Sequence, residues 1–267
     1  MKIGVLGCAG RMGRIIATQV LANKNAELVG GTELPDSEYI GHDIAKLVGQ
    51  DASGYTIGDD TLSLFSIADT IIDFTIPSAT AGHAKMASET GTALIVGTTG
   101  LNQNQQDAIV QASKESVIVQ AANFSVGVNM LLGLTEKTAG VLGNEYDIEI
   151  IEMHHRQKVD APSGTALALG EAAALGRGVD IEKVSQRVRD GITGPRKIGD
   201  IGFATLRGGD VAGDHVIIFA ADGERVELIH KASDRKVFAV GAIRAALWTD
   251  DKLPGLYSML DVLKLET

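Results

Sequence analysis

Through residue 124, short apolar runs alternate with longer amphipathic segments, the rhythm of βαβ units that build a parallel sheet. KIGVLG (2–7) predicts a strand, RMGRIIATQVLA (11–22) a helix and AELVGGTE (26–33) a second strand. The polar stretch that follows reads as a loop. TIIDFTIP (70–77) predicts a buried strand stopped by Pro77, and SATAGHAKMASETG (78–91) a helix capped by Ser78 and ended by Gly91. TALIVGTTG (92–100) predicts a strand, 102–115 a helix and SVIVQAANF (116–124) a further strand.

The pattern then changes. VNMLLGLTEKTAGVLG (128–143) predicts a helix, and YDIEIIEMHH (146–155) alternates like a strand with one covered face. A helix near 164–175 precedes three strands, IGFATLR (201–207), DHVIIFAA (214–221) and ERVELIHK (224–231). Only Asp222 and Gly223 separate the last two, a hairpin signal. RKVFAVGAIRAALWT (235–249) predicts a helix that returns to the first half. The expected fold class is α/β. A Rossmann-type parallel-sheet domain (1–126 and 236–267) is joined to an α+β domain with a mixed sheet (127–235).

Composition narrows the function classes. The chain has 267 residues, a formal charge of −10 and only 4% aromatic residues. Acidity and scarce aromatics argue against nucleic-acid binding, which needs a basic face or stacking platforms. One cysteine cannot build an internal disulfide framework. No apolar run reaches a membrane span, and MKIGVLGCAG does not read as a signal peptide. A cytoplasmic protein with no membrane partner is expected.

GCAGRMG (7–13) joins the first strand to the first helix and places Gly7, Gly10 and Gly13 in a G-x-x-G-x-x-G variant of the dinucleotide fingerprint. Small residues let the backbone approach a pyrophosphate seated on the helix N-terminus. Glu33, 20 residues after Gly13, is placed to bind a ribose 2′-hydroxyl and to repel a 2′-phosphate. NADH is therefore expected over NADPH, which stays open because Arg11 and Arg14 either reach the adenosine ribose or lie on a solvated helix face. Cys8 reads as a packing residue. GTTG (97–100) and AANFS (121–125) end two later strands at the same sheet edge, where ligands of open α/β sheets bind.

HHRQKVDAPSGTA (154–166) gathers two histidines, an arginine and a lysine just before a predicted helix start. Cations followed by helix amides at Ser163, Gly164 and Thr165 make an anion pocket, suited to a small dicarboxylate. Neighbouring strand positions face opposite ways, so His154 and His155 divide their roles. The competing readings are a zinc site, disfavoured for want of spaced partner ligands, and a surface charge cluster pairing with Glu149 and Glu152. No metal is expected. His215 and His230 read as structural or exposed.

GCAGRMG, DFT, GTTG, AANFSVGVN, EMHHRQKVDAPSGTA, GFATLRGGDVAGDH and HKASDR together resemble the 4-hydroxy-tetrahydrodipicolinate reductase family. The likeness runs from the N-terminus to the final helices and is most specific across 121–166. It implies lysine and diaminopimelate biosynthesis, an NAD(P)H-binding domain, and a substrate domain that also builds a homotetramer. His154 stands at the family's catalytic histidine and Lys158 at its catalytic lysine. His155, Gly164 and Thr165 match substrate-binding positions, and Ser163 belongs to the same loop. Gly7, Cys8, Ala9, Gly10, Arg11, Met12, Glu33, Gly97, Thr98, Thr99, Ala121, Ala122, Asn123 and Phe124 match cofactor-binding positions. Leu34 departs from members that carry a basic residue there, which again favours NADH. The implied chemistry is hydride transfer to C4 of a cyclic imine dicarboxylate, formed as the hydroxylated precursor loses water. Lys158 or His154 then supplies a proton to C3, and Arg235 is a weaker candidate for closing the pocket.

Overall fold

The strands of the first half are apolar on both faces, and only a parallel sheet sandwiched between helices can bury such runs. In the computed structural model, which describes residues 1–265, that sheet has seven strands, all parallel, in the order β12-β6-β5-β4-β1-β2-β3. Its elements are β1 (Lys2–Leu6), α1 (Arg11–Leu21), β2 (Glu27–Thr32), α2 (Ile44–Leu47), β3 (Ile57–Gly58), α3 (Thr61–Ile67), β4 (Thr70–Asp73), α4 (Pro77–Thr90), β5 (Ala93–Val96), α5 (Gln103–Ala112) and β6 (Val117–Gln120). The second half supplies α6 (Val126–Leu142), β7 (Asp147–His154), α7 (Gly164–Arg177), α8 (Ile181–Val184), β8 (Ser185–Gln186), β9 (Ile201–Arg207), β10 (Gly213–Ala221) and β11 (Glu224–Ala232). The chain ends with α9 (Lys236–Trp248), β12 (Gly255–Tyr257) and α10 (Met259–Leu263).

Two units result. One comprises 1–126 and 235–264, the other 127–234 together with Leu265. The division differs slightly from the sequence boundaries. Arg235 joins the first unit, and Leu265 falls with the second because it lies against Gly133 of α6. Residues 266 and 267 lie outside the described residues.

In the first unit the order of the strands reverses between β1 and β4, creating a switch point at the carboxyl edge of the sheet. Four local expectations need correction. The strand after residue 70 stops at Asp73 rather than Pro77, because the Asp73 carboxylate accepts bonds from the Thr75 amide (2.9 Å) and hydroxyl (2.6 Å) and turns the chain. α4 starts at Pro77, whose fixed φ suits the first helical position, so Ser78 is not its cap. The polar stretch 34–69 contains α2, β3 and α3, begun by Asp43 and Asp60 as N-caps. The tail beyond Trp248 adds β12 beside β6 and α10, which a Ser258–Asp261 capping box starts.

The second unit is a five-stranded mixed sheet in the order β11-β10-β7-β9-β8. β10 pairs antiparallel with both β7 and β11, while β7, β9 and β8 run parallel. One face packs Ile148, Ile150, Ile201, Phe203, Ile217 and Phe219 against residues of α6 and α7. The helices approach closely because Gly176 lacks a Cβ, which would stand 2.0 Å from the Glu136 carbonyl oxygen. The other face carries Leu206 and Ile229, 50% and 53% exposed.

Candidate functional site

The glycine loop is shaped by three different constraints. Gly7 turns at φ +60°, which a side chain disfavours. The Gly10 amide donates to the Gly7 carbonyl at 3.0 Å, closing the turn. Gly13 is buried, and a Cβ there would lie 2.1 Å from the Gly7 oxygen, so α1 touches the turn backbone directly. α1 opens on Gly10 with no side-chain cap, which leaves its first amides to a ligand. Cys8 is fully buried, and burial pushes its thiol up to about 12. Its sulfur packs beside Gly31, so only its main chain can meet a cofactor.

Glu33 lies at the end of β2, with its Oε1 accepting from the Ala9 amide at 2.7 Å. Arg14 is not on a solvated face: Nε donates to the Ala9 carbonyl at 2.7 Å and the guanidinium lies 5.0 Å from the Tyr39 ring centroid. Arg11 and Leu34 are exposed. A cleft of about 300 Å³ in this unit brings together Met12, Gly97, Thr99, Ala122, Asn123 and Phe124, six of the cofactor candidates. Phe74, Arg235 and Phe238 complete its walls. Gly97 is required there because a Cβ would stand 2.3 Å from the Phe74 ring. These residues fit a dinucleotide: the pyrophosphate would meet the glycine loop, the ribose Glu33, and the nicotinamide the cleft walls.

In the second unit, alternation along β7 carries one face from core to chemistry. Ile148 and Ile150 enter the hydrophobic cluster, and Glu152 and His154 continue the same face at the strand's open end. Glu152 is 1% exposed and receives four bonds. His154 Nδ1 lies 2.6 Å from Oε2, Arg207 spans both oxygens at 2.8 and 2.9 Å, and the Ser163 amide donates to Oε1 at 3.0 Å. Burial alone would raise this carboxyl, but the Arg207, His154 and Ser163 bonds outweigh it and hold it below the ordinary glutamate range. An ionised Glu152 only accepts, so the His154 proton sits on Nδ1 and Nε2 is left with its lone pair. Burial pushes the His154 imidazole down despite Glu152, with Lys158 and Arg207 adding to the effect. At neutral pH this ring is therefore uncharged.

Lys158 sits in the turn after β7, its Nζ 3.0 Å from Asp160 Oδ1, and Arg207 braces that turn through the Asp160 carbonyl at 2.6 Å. Ser163 caps α7 by accepting from the Ala166 amide at 3.2 Å. With its own amide on Glu152 and its residue only 2% exposed, Ser163 builds the helix start, whereas Gly164 is exposed at the open end. Thr165 and His155 are half-buried nearby in sequence, and Arg156 is exposed. Of the surface-cluster reading, the pairing of His154 with Glu152 is present, but it is not on the surface. Glu152 is buried and Glu149 pairs instead with Arg189 and Arg196.

Sequence reasoning named Glu152 only as a surface-cluster partner and His215 only as structural or exposed, and it passed over Arg207. Glu152 was legible, since positions two apart on a strand share a face. Arg207 and His215 arrive only through strand register, opposite His154 and Glu152 respectively. His215 is 3% exposed, 5.2 Å from the His154 ring centroid and 3.3 Å from Ser163 Oγ. Of the two expectations for His215, structural or exposed, the buried position fits the first. Burial, then the charge of His154, pushes His215 down to about 4.

A pH dependence of stability follows from that value. Between the unfolded histidine value near 6.5 and about 4, the unfolded chain takes up a proton at His215 that the folded chain refuses. Stability falls with acidification across this window and levels off below it. His215→Gln is expected to remove about 2 kcal/mol of the loss between pH 7 and pH 5. Urea denaturation of both proteins at the two pH values measures this; equal losses would rule out His215 as the source.

A seven-stranded parallel sheet with three glycines at its first strand-to-helix turn defines the class of dinucleotide-binding proteins. The N-terminal family model of dihydrodipicolinate reductase matches residues 1–124, and the C-terminal model matches 127–263. The chain belongs to the dihydrodipicolinate reductase family. A 4-hydroxy-tetrahydrodipicolinate reductase from Dinoroseobacter shibae is 54% identical over 263 residues, covering 98% of both chains. One from Rhodopseudomonas palustris is 51% identical over 265 residues, covering 99% of this chain and 98% of its own. Among solved structures, a dipicolinate-bound dihydrodipicolinate reductase from Paenisporosarcina sp. TG-14 has a TM-score of 0.76 at 23% identity, covering 98% of each chain. A probable dehydrogenase from Thermotoga maritima shares the fold at a TM-score of 0.65 and 11% identity, covering 99% of this chain and 93% of its own. Among the described residues, no helix is long and apolar enough to cross a membrane.

Proposed function

We propose that the chain is an NAD(P)H-dependent 4-hydroxy-tetrahydrodipicolinate reductase of lysine and diaminopimelate biosynthesis, with Lys158 as the proton donor and His154 as a neutral partner. The observation that carries this reading is the Glu152–His154 pair at the open end of β7, followed by Lys158 and the start of α7. A bound nicotinamide would supply the hydride for C4 of the cyclic imine that forms as the precursor loses water. The enamine left behind takes a proton at C3. His154, uncharged with its proton on Nδ1, offers a lone pair and is poorly suited to give that proton. The Lys158 ammonium, held by Asp160, is the group with a proton to give. Gly164 and Thr165 at the α7 N-terminus and His155 receive the carboxylates of the substrate. Gly7 to Met12, Glu33, Gly97 to Thr99 and Ala121 to Phe124 hold the dinucleotide, Cys8 through its main chain alone.

NADH is the preferred donor. Glu33 repels a 2′-phosphate, Leu34 offers it no cation, and Arg14 is engaged on Ala9 and Tyr39. The face of the five-stranded sheet that carries the half-exposed Leu206 and Ile229 supports assembly as a homotetramer. The cytoplasm is the compartment this reading implies.

Loss of NADH absorbance with substrate generated in situ from pyruvate and aspartate semialdehyde, NADPH run in parallel, tests the reading. Rapid oxidation is expected, with kcat/KM for NADH about tenfold above that for NADPH. Equal or faster use of NADPH would remove the Glu33–Leu34 argument and leave the reaction standing. No oxidation by folded protein that binds NADH would remove the reaction.

A further inference from the structure

Asp73 is the last residue of β4, at the carboxyl edge of the sheet beside the strand-order switch, and it is completely buried. Its side chain gathers groups from three segments. Oδ1 accepts from the Thr75 amide at 2.9 Å, the Thr75 hydroxyl at 2.6 Å and the Thr98 hydroxyl at 3.3 Å. Oδ2 lies 2.8 Å from Nδ1 of His83 on α4. Its main-chain carbonyl also accepts from the Gly97 amide at 2.8 Å.

Burial alone would raise this carboxyl. The bonds from His83 and Thr75 hold it below the ordinary aspartate range, so the carboxylate is ionised and all four side-chain contacts are donated to it. An ionised group with no exposed surface is costly unless fully satisfied, so stability alone does not favour a carboxylate over an apolar side chain here.

What these bonds organise is the rim of the cleft. Phe74 and Gly97, the neighbours of Asp73 and Thr98, both line it, as does Thr99. Phe74 also packs on Phe124 in the segment after β6, ring centroids 5.5 Å apart. On the other side, a Cβ at Gly7 would stand 3.1 Å from the Thr75 methyl, which sets this turn against the glycine loop. One carboxylate thus ties the turn after β4 to the turn after β5, against the first glycine of the fingerprint.

We propose that Asp73 is a positioning residue for dinucleotide binding, locking these two turns together so that the cleft is formed before the cofactor arrives. The inference rests on the reading of this cleft as the nicotinamide site. Its chemistry is preorganisation: a turn already held in place loses no further freedom when the ligand binds. Asp73 itself does not touch the reacting atoms.

The test is NADH affinity of the full chain, measured by fluorescence titration without substrate and paired with steady-state kinetics. Asp73→Asn keeps the shape but removes the charge and turns one acceptor into a donor, so either the His83 contact at Oδ2 or the three Thr75 and Thr98 bonds at Oδ1 cannot form as they stand. NADH is expected to bind about tenfold more weakly, with kcat at saturating NADH lowered by less than about threefold. His83→Ala withdraws a single donor from α4 and is expected to weaken NADH by about threefold, keeping the test open if the asparagine variant fails to fold.

Thr92→Val is the control for a merely structural role. Thr92 is also buried and precedes β5 at the opposite edge of the sheet, donating to the Phe65 carbonyl at 2.8 Å. It should lower stability without changing NADH affinity. The proposal is overturned if Asp73→Asn and His83→Ala bind NADH as wild type does, or if Thr92→Val weakens it as much. Failure of the wild-type chain to bind NADH or NADPH at all would instead bring down the cofactor site, and the proposal with it.

Discussion

Replacing Lys158 with alanine is expected to lower kcat by about 10²–10⁴-fold, the usual worth of a positioned general acid, while NADH affinity stays within about twofold. Lys158 lies in the turn that follows β7, and its ammonium is paired with Asp160 at 3.0 Å. Neither group contributes to the buried Glu152 network directly, so the loss should be chemical rather than structural. Because the proton is delivered after or with hydride transfer, KM for the substrate should change less than kcat. Steady-state kinetics and an NADH titration of the same variant separate the two. Normal turnover with normal NADH binding would show that the proton comes from elsewhere, with His154 the next candidate.

Glu152→Ala is expected to cost about 3–5 kcal/mol of stability, because it leaves the Arg207 guanidinium partly buried beside an empty acceptor position. The isosteric Glu152→Gln is the more informative change. A glutamine amide cannot accept from both Arg207 nitrogens, the Ser163 amide and His154 at once, and its NH₂ group next to the ring would favour the proton on Nε2 instead of Nδ1. The expected result is a kcat lowered by about 10–100-fold, with NADH binding unchanged. NMR of the ring nitrogens of His154 would report the tautomer directly. A glutamine variant with the wild-type tautomer and full activity would mean that Glu152 serves stability alone.

Much of the architecture was legible because it follows local rules. Parallel strands of the first half are continuous apolar runs, the glycine loop sits between a strand and a helix, and Asp222-Gly223 marks the β10–β11 hairpin, where Gly223 takes φ +91°. Short elements escaped because two- and three-residue strands such as β3 and β12 have no period to detect. They form only because a neighbouring strand offers its unpaired edge.

The candidate site divides along the same line. Candidates carried by contiguous motifs, such as His154, Lys158 and Gly164, could be proposed from the chain alone. The dyad of Glu152 and His154 needed only the two-residue period of a strand. Arg207 is 53 residues beyond His154 in the chain and reaches Glu152 because β7 and β9 pair in one particular register. His215 faces Glu152 by the antiparallel register of β10, and Asp73 meets Thr98 because β4 and β5 are neighbours.

The sequence by itself determined the fold class, the glycine turn and the order of chemical groups after β7, since each depends on residues near one another in the chain. Only the tertiary structure decided which charges neutralise one another, which imidazoles are buried and uncharged, and which carboxylate joins the turns after β4 and β5. Those outcomes depend on desolvation and on distances of about 3 Å between residues far apart in sequence, which hydrophobic periodicity does not encode.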